Sequence, residues 1–169
     1  MDFRTQLAGE LPHLRRFARA LTGDASLADD LVQDCIERAL NKSHLYDPAR
    51  PLRAWLYAVL RNLFISGLRR EGRSTVIKSV DELVGEEGSV RPVQEDRLSV
   101  ALINEALAQL PHQHREVIVL VALEEMSYRD VAEITGVPIG TVMSRLSRAR
   151  SSLQAILEDR GQTVLRRVK

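Results

Sequence analysis

The stretch from Ser127 to Arg150, SYRDVAEITGVPIGTVMSRLSRAR, restricts what this chain can fold into more than any other part of it. Its pattern predicts two short helices joined by a tight turn, the outline of a helix-turn-helix. The first runs from Ser127 to about Thr135; Gly136 takes the turn position that needs a positive φ, and Pro138 suits the first position of the second helix. Ile139, Val142, Leu146, Ala149, Leu153 and Ile156 then recur at steps of three and four and stack into one apolar stripe. The opposite face carries Thr141, Met143, Ser144, Ser147 and Arg148, flanked by Arg145 and Arg150, and no acid lies between Pro138 and Ile156. A buried stripe backed by short polar side chains and arginines without counter-charges suits insertion into a DNA major groove. Periodicity alone would equally fit a solvated amphipathic helix. The Gly-x-Pro turn, and the packing of Val131, Ala132 and Ile134 on the second helix, weight the pattern towards DNA.

Length and composition set the frame for that motif. At 169 residues and 44% hydrophobic content, the chain can build one domain or two small ones. Aromatics at only 4% favour helix bundles over sheets, and the predicted class is all-α. A net charge of +1 points to no partner in bulk, but its distribution is uneven. From Val80 to Asp96 six acids (Asp81, Glu82, Glu86, Glu87, Glu95, Asp96) face Arg91 alone, and the flanking helices are basic. No apolar run of about 18 residues exists, and the N-terminus lacks a signal-peptide core, so a cytoplasmic protein with no membrane insertion is expected. The single Cys35 excludes an internal disulfide and, in its helical apolar pattern, reads as a buried thiol. His112 and His114 have no Cys or carboxylate cluster beside them, so no metal and no cofactor are expected. With no nucleophile–base pair and no phosphate loop in the pattern, no catalytic residues are expected and the chain is not expected to be an enzyme.

The first half reads as three helices. Phe3 to about Leu21 puts Leu7, Leu11, Leu14, Phe17, Ala18 and Leu21 on one face and stops at Gly23. Ser26 is the expected N-cap of a second helix, Leu27 to about Asn41, which buries Leu31, Cys35, Ile36 and Leu40 in some combination. Asp30, Gln33, Asp34 and Glu37 form its acidic outer face, either simply solvated or a docking surface for a basic partner. After a Tyr46-Asp47-Pro48 turn signal, Pro51 starts a third helix whose core stripe is Leu52, Leu56, Val59 and Leu63. Tyr57, Phe64 and Leu68 make a second apolar face with Arg61 beside it, the mark of an interface. Trp55, Asn62 and Arg69 line a third edge at seven-residue steps, where an aromatic plane, an amide and a cation can hold unstacked bases and phosphates. Taken singly, Trp55 fits a core and Asn62 a helix surface.

Between Glu71 and Glu95 no period is sustained, and the expected division is a first domain over 1–72, a flexible acidic linker over 73–95 and a second domain over 96–169. In the second domain a helix from Asp96 to Gln109 carries Leu98, Ala101, Leu102, Ala106 and Leu110 and stops at Pro111. His114 to about Leu123 is nearly all apolar and is read as helix, because a lone strand would have no partner. Glu124 and Glu125 close it and Ser127 caps the next helix, giving a four-helix domain.

Four motifs in this order, DDLVQD at Asp29 to Asp34, AWLYAVLRN at Ala54 to Asn62, ALAQLPHQHREVIVL at Ala106 to Leu120, and the helix-turn-helix, resemble the extracytoplasmic-function (group IV) sigma factors of bacterial RNA polymerase over essentially the whole chain. The resemblance implies a sigma-2-like three-helix domain and a sigma-4-like four-helix domain, with core RNA polymerase (β′ clamp and β flap) and promoter DNA as partners. It assigns Asp30, Gln33, Asp34 and Glu37 to polymerase docking. It assigns Tyr46, Trp55, Arg61, Asn62, Arg69 and Arg70 to opening the minus-10 element around a flipped base. Thr141, Met143, Ser144, Arg145, Ser147 and Arg148 fall to the minus-35 element, with Met143 standing where relatives often carry a basic residue. It further implies a stress or envelope response controlled by an anti-sigma factor. The apolar face of Tyr57, Phe64 and Leu68 suits that partner or a contact between the two domains. The competing reading is a free-standing dimeric helix-turn-helix regulator whose first domain senses a ligand; a sigma-like decoy would bring a receiver domain.

Overall fold

The computed structural model describes residues 2–72 and 94–167, with side chains except at 94–99 and 162–167. Every described α-helix falls into one of two groups, α1 to α3 before the acidic segment and α4 to α7 after it, and no strand occurs among the described residues. The linker expected over 73–95 lies outside the described residues up to position 93, and α4 takes up its last two positions.

Helix α1 (Phe3–Thr22) buries Leu7, Leu14, Phe17, Ala18 and Leu21, while Leu11 is half-buried. It ends on Gly23 at φ 68°, whose N–H donates to the Arg19 carbonyl; a side chain there would be strained against its own backbone. Helix α2 (Ala25–Asn41) starts on Asp24 rather than Ser26, because the Asp24 carboxylate accepts from the Leu27 N–H at 2.8 Å. Its buried stripe is Ala28, Val32, Cys35 and Ala39. Leu40 is exposed and Leu31 and Ile36 only half-buried, because the smaller side chains face inward and let the helices approach closely. Helix α3 (Leu52–Arg70) buries Leu52, Leu56, Tyr57 and Leu60, leaving Val59 and Leu63 half-buried. A single stripe fails here because the helix is covered on two sides.

In the second group, α4 (Gln94–Ala108) packs through its C-terminal end: Ala106, Leu107 and Ala108 are buried, as is Leu110 just beyond, whereas Ala101 and Leu102 are exposed. The Leu98 side chain lies outside the described set. Helix α5 (His112–Ile118) continues through a π-helical turn at Val119–Leu123, in which the Glu124 N–H reaches back to the Val119 carbonyl. Ser127 caps α6 (Tyr128–Thr135) by accepting from the Asp130 N–H at 3.1 Å, and Gly136 follows at φ 69°. In α7 (Ile139–Arg167) Val142, Leu146 and Ala149 are buried and Leu153 and Ile156 half-buried. Pro138 sits one residue ahead of the helix, its carbonyl accepting from Thr141 and Val142, and Ile139 projects from the first turn 47% exposed.

The two groups pack on each other, α3 against α6 and α1 against α4, α5 and the π turn, and their buried residues join one hydrophobic cluster. The second apolar face of α3 therefore belongs to a contact between the halves. Tyr57 is fully buried, and the Phe64 ring lies 6.5 Å from the His112 ring in an edge-on arrangement. Among the described residues no helix is long and apolar enough to cross a membrane.

Candidate nucleic-acid interface

The outer face of α7 is presented as its period predicts. Met143, Ser144, Ser147, Arg148 and Arg150 are exposed, while Thr141 and Arg145 lie half-buried at the edges. Ser144 Oγ donates to the Thr141 carbonyl at 3.1 Å, which keeps the hydroxyl close to the helix. The Ser127 cap and the left-handed Gly136 fix the angle between α6 and α7, so this face is carried on a rigid frame.

The residues assigned to the minus-10 element divide into two sets. Asn62, Arg69 and Arg70 are exposed along the far half of α3. Tyr46 and Trp55 are half-buried against each other with ring centroids 5.5 Å apart, and Phe3 completes the cluster at 5.9 and 6.4 Å. The Tyr46 hydroxyl donates to the Arg50 carbonyl at 2.9 Å, and Asp47 accepts from the Ala49 N–H at 2.9 Å, so the loop ahead of α3 is braced internally. Arg50 crosses to the second half, 3.0 Å from Glu133 on α6. Arg61 belongs to neither set: it is half-buried and turned towards the second half.

On α2, Asp30, Gln33, Asp34 and Glu37 are all exposed, and contact between the halves leaves their face open. Cys35 lies on the opposite, buried side, where desolvation pushes its thiol up to about 12 and makes it a poor nucleophile.

Sequence reasoning missed a charged seam between the halves. Glu124 was read as a helix terminator, yet its side chain is fully buried. It receives the Arg16 guanidinium in a short contact, the Tyr57 hydroxyl at 2.5 Å, and His13 with Nδ1 at 3.0 Å. Burial pushes this carboxyl up, but the hydrogen bonds from Arg16, Tyr57 and His13 outweigh it and leave it below its ordinary value. Burial first, and then the bond to Glu124, raise the Tyr57 phenol well above its usual range. The Arg16 guanidinium is raised by its bond to the same carboxylate.

A second buried acid, Glu116, accepts from Arg61 Nε at 2.8 Å and Nη2 at 3.2 Å, and Arg145 Nη1 lies 4.0 Å away. Next to Glu116 in the chain, Arg115 donates to the carbonyls of Leu107, Ala108 and Leu110 at and just beyond the end of α4. It also donates to Ala20 and Leu21 at the end of α1. One buried cation thus satisfies the orphan carbonyls of two helix termini. The signal that would have found this seam is an acid inside a helix otherwise apolar all round, since a buried carboxylate requires a partner.

Comparison with known proteins agrees in both halves. Residues 7–61 match the family described as the Sigma2 domain of PhyR, and residues 101–153 match Sigma-70, region 4. The chain is 39% identical over 156 residues to the ECF RNA polymerase sigma factor EcfG of Rhodopseudomonas palustris, covering 92% of this chain and 85% of that protein. It is 38% identical over 151 residues to the ECF RNA polymerase sigma factor SigL of Mycobacterium tuberculosis, covering 89% and 85%. Among solved structures, the sigma factor RpoE of Bartonella quintana, bound to the anti-sigma factor NepR, superposes with a TM-score of 0.77 at 38% identity over 93% of this chain and 97% of that one. CnrH bound to the cytosolic domain of CnrY follows at 0.68 and 29% identity, covering 93% and 88%. With identity of this order spread across both helical halves and the helix-turn-helix between α6 and α7 intact, the chain belongs to the extracytoplasmic-function sigma factors of RNA polymerase.

Proposed function

We propose that the chain acts in the cytoplasm as a promoter-specificity subunit without catalytic activity. It docks core RNA polymerase through the acidic face of α2, with Asp30, Gln33, Asp34 and Glu37 on the β′ clamp, and through its second half on the β flap. The loop from Tyr46 to Arg50 and helix α3 open the minus-10 element. Asn62 and the Tyr46–Trp55 cluster border the flipped base, and Arg61, Arg69 and Arg70 hold phosphates. The outer face of α7, Thr141, Met143, Ser144, Arg145, Ser147 and Arg148, reads the minus-35 element in duplex DNA. Opening DNA needs a pocket and stacking groups to offset unstacking, whereas reading a duplex needs a rigid helix with short side chains; each half carries one of these.

The observation that carries this reading is the exposure of two surfaces of opposite character on one compact chain. The acidic face of α2 and the polar, acid-free face of α7 both remain open while the halves are packed together. The likeness to RpoE held by NepR spans both halves, which supports a closed state of this kind as the one an anti-sigma factor holds. Transcription in vitro with core polymerase and a promoter library tests the proposal: the chain should direct initiation from a discrete subset of promoters, and folded protein that supports none would overturn it.

A further inference from the structure

His114 lies in the first turn of α5, and α5 packs along α7. Arg145 of α7 reaches to within 4.0 Å of Glu116, two residues after His114, so this turn stands beside the flank of α7 that carries Arg145 and, three residues on, Arg148. The His114 ring is half-buried, and its Nδ1 is buried with no hydrogen-bond partner, which leaves the Nε2 edge as the part that meets solvent. Burial, and then the positive fields of Arg148 and Arg145, hold the proton affinity of the ring below its ordinary value, so the ring is uncharged at neutral pH.

We propose that His114 is a further DNA contact of this chain: a neutral imidazole whose Nε2–H donates to the phosphate flanked by Arg145 and Arg148. The inference rests on the reading of the outer face of α7 as a duplex-binding surface. A recognition helix seated in a major groove has sugar–phosphate backbone on either side of it, so a neighbouring helix at its flank meets phosphates and not base edges. Phosphate oxygens only accept, so Nε2 is the protonated nitrogen in the complex. The buried side of the ring then keeps a bare lone pair instead of an N–H without an acceptor. In this patch the arginines supply charge, and His114 supplies a donor fixed in direction. Its contribution is the same for every duplex sequence, and a neutral group displaces no counterion, so the salt dependence of binding belongs to the arginines.

The test uses the full chain and a short mixed-sequence duplex at low salt and neutral pH, read by fluorescence anisotropy. Glutamine places its amide N–H where the imidazole holds Nε2, and asparagine places it where the ring holds Nδ1. The pair therefore tells an outward donor from a ring that only packs. His114→Gln should bind within about three-fold of the wild-type chain, whereas His114→Asn and His114→Leu should each lose about ten-fold, the worth of one hydrogen bond to a charged acceptor. The slope of affinity against salt should stay unaltered in all three, while Arg148→Ala flattens it. Wild-type affinity in both His114→Asn and His114→Leu overturns the proposal, as does a loss in His114→Gln equal to that in His114→Leu. A slope that flattens in His114→Leu also overturns it, since the ring would then act as a cation. Arg148→Ala separates the two levels. If it leaves duplex binding unaltered, or if the wild-type chain binds no duplex at low salt, the reading of α7 as an open DNA face falls and this inference falls with it. If Arg148→Ala weakens binding while the His114 variants do not, this inference alone fails.

Discussion

The outer face of α7 and the seam beneath it carry the same kinds of side chain to opposite ends. Arg148 and Arg150 stand in solvent on a helix with no acid before Glu158, while Arg61 and Arg115 end on a buried carboxylate or on helix-terminal carbonyls of the other half. An exposed arginine is available to a phosphate at little cost. A buried one is committed, because removing its partner strands a charge in a medium of low dielectric. On the reading proposed above, the difference separates what the molecule uses on its promoter from what holds its halves together, and it can be pressed from both sides.

The largest effect is expected at Glu124. Replacing it with Ala leaves the buried Tyr57 hydroxyl without its acceptor, while the half-exposed Arg16 turns to water, and denaturant unfolding should show a loss of about 2–3 kcal/mol. A loss below about 1 kcal/mol would mean that water already reaches the seam, and the contrast with α7 would collapse. Tyr57→Phe should cost about 1–2 kcal/mol by removing one charge-assisted donor to Glu124. In the Glu124→Ala background the same change should cost almost nothing, since the hydroxyl has already lost its acceptor; additive losses would place Tyr57 outside the network.

The seam also predicts how stability depends on pH. Burial lowers the affinity of His112 for a proton, so below the ordinary histidine value of about 6.5 the unfolded chain takes up a proton that the folded chain refuses. Stability therefore falls as pH drops from there towards the lowered value. The Glu124 carboxyl is likewise held below its unfolded value, so its contribution is complete above about 4.3 and is lost as pH falls through the folded value. Unfolding free energy should thus decline in two stages on acidification. Glu124→Gln should remove the lower stage and leave the upper one, and a profile unchanged by that variant would assign the acid loss to other carboxyls.

How far these regions were legible in the amino-acid sequence follows from the range of the forces that place them. The cap at Ser127, the left-handed Gly136 and the buried Val142, Leu146 and Ala149 are decided within a few residues, and each stands where the pattern puts it. The acidic face of α2 was legible for the same reason. Ser26 lost the cap to Asp24 because two capping residues stood two apart and only geometry chose between them. Ala101 and Leu102 stand exposed where the period puts a core stripe, and of Leu31, Cys35, Ile36 and Leu40 only Cys35 is fully buried, because a helix period names a face but not the neighbour that covers it. The seam was illegible for a stronger reason: Glu116 and Arg61 lie 55 residues apart and Glu124 and Arg16 lie 108 apart, so no local pattern joins them. What the chain did show was an apolar second face on α3, and the structure resolves the two covers it allowed in favour of the second half.

The smallest effect on stability is expected on the outer face of α7, and it supplies the sharpest control. Ser144 and Arg148 are exposed, and the Ser144 hydroxyl bonds back to the carbonyl of Thr141 in its own helix. Ser144→Ala and Arg148→Ala should therefore shift unfolding free energy by no more than about 0.5 kcal/mol. Loss of a base contact by either variant should still cost about 1–3 kcal/mol in minus-35 recognition, roughly ten-fold or more in promoter affinity, with core polymerase binding unaltered. The salt dependence then divides the two roles. Arg148→Ala should flatten the slope of affinity against salt if that side chain neutralises a phosphate, whereas Ser144→Ala should leave the slope alone and change the preferred sequence. Should either variant instead weaken core binding while sparing the promoter, the outer face of α7 would be a polymerase surface, and its open arginines would need a partner other than DNA.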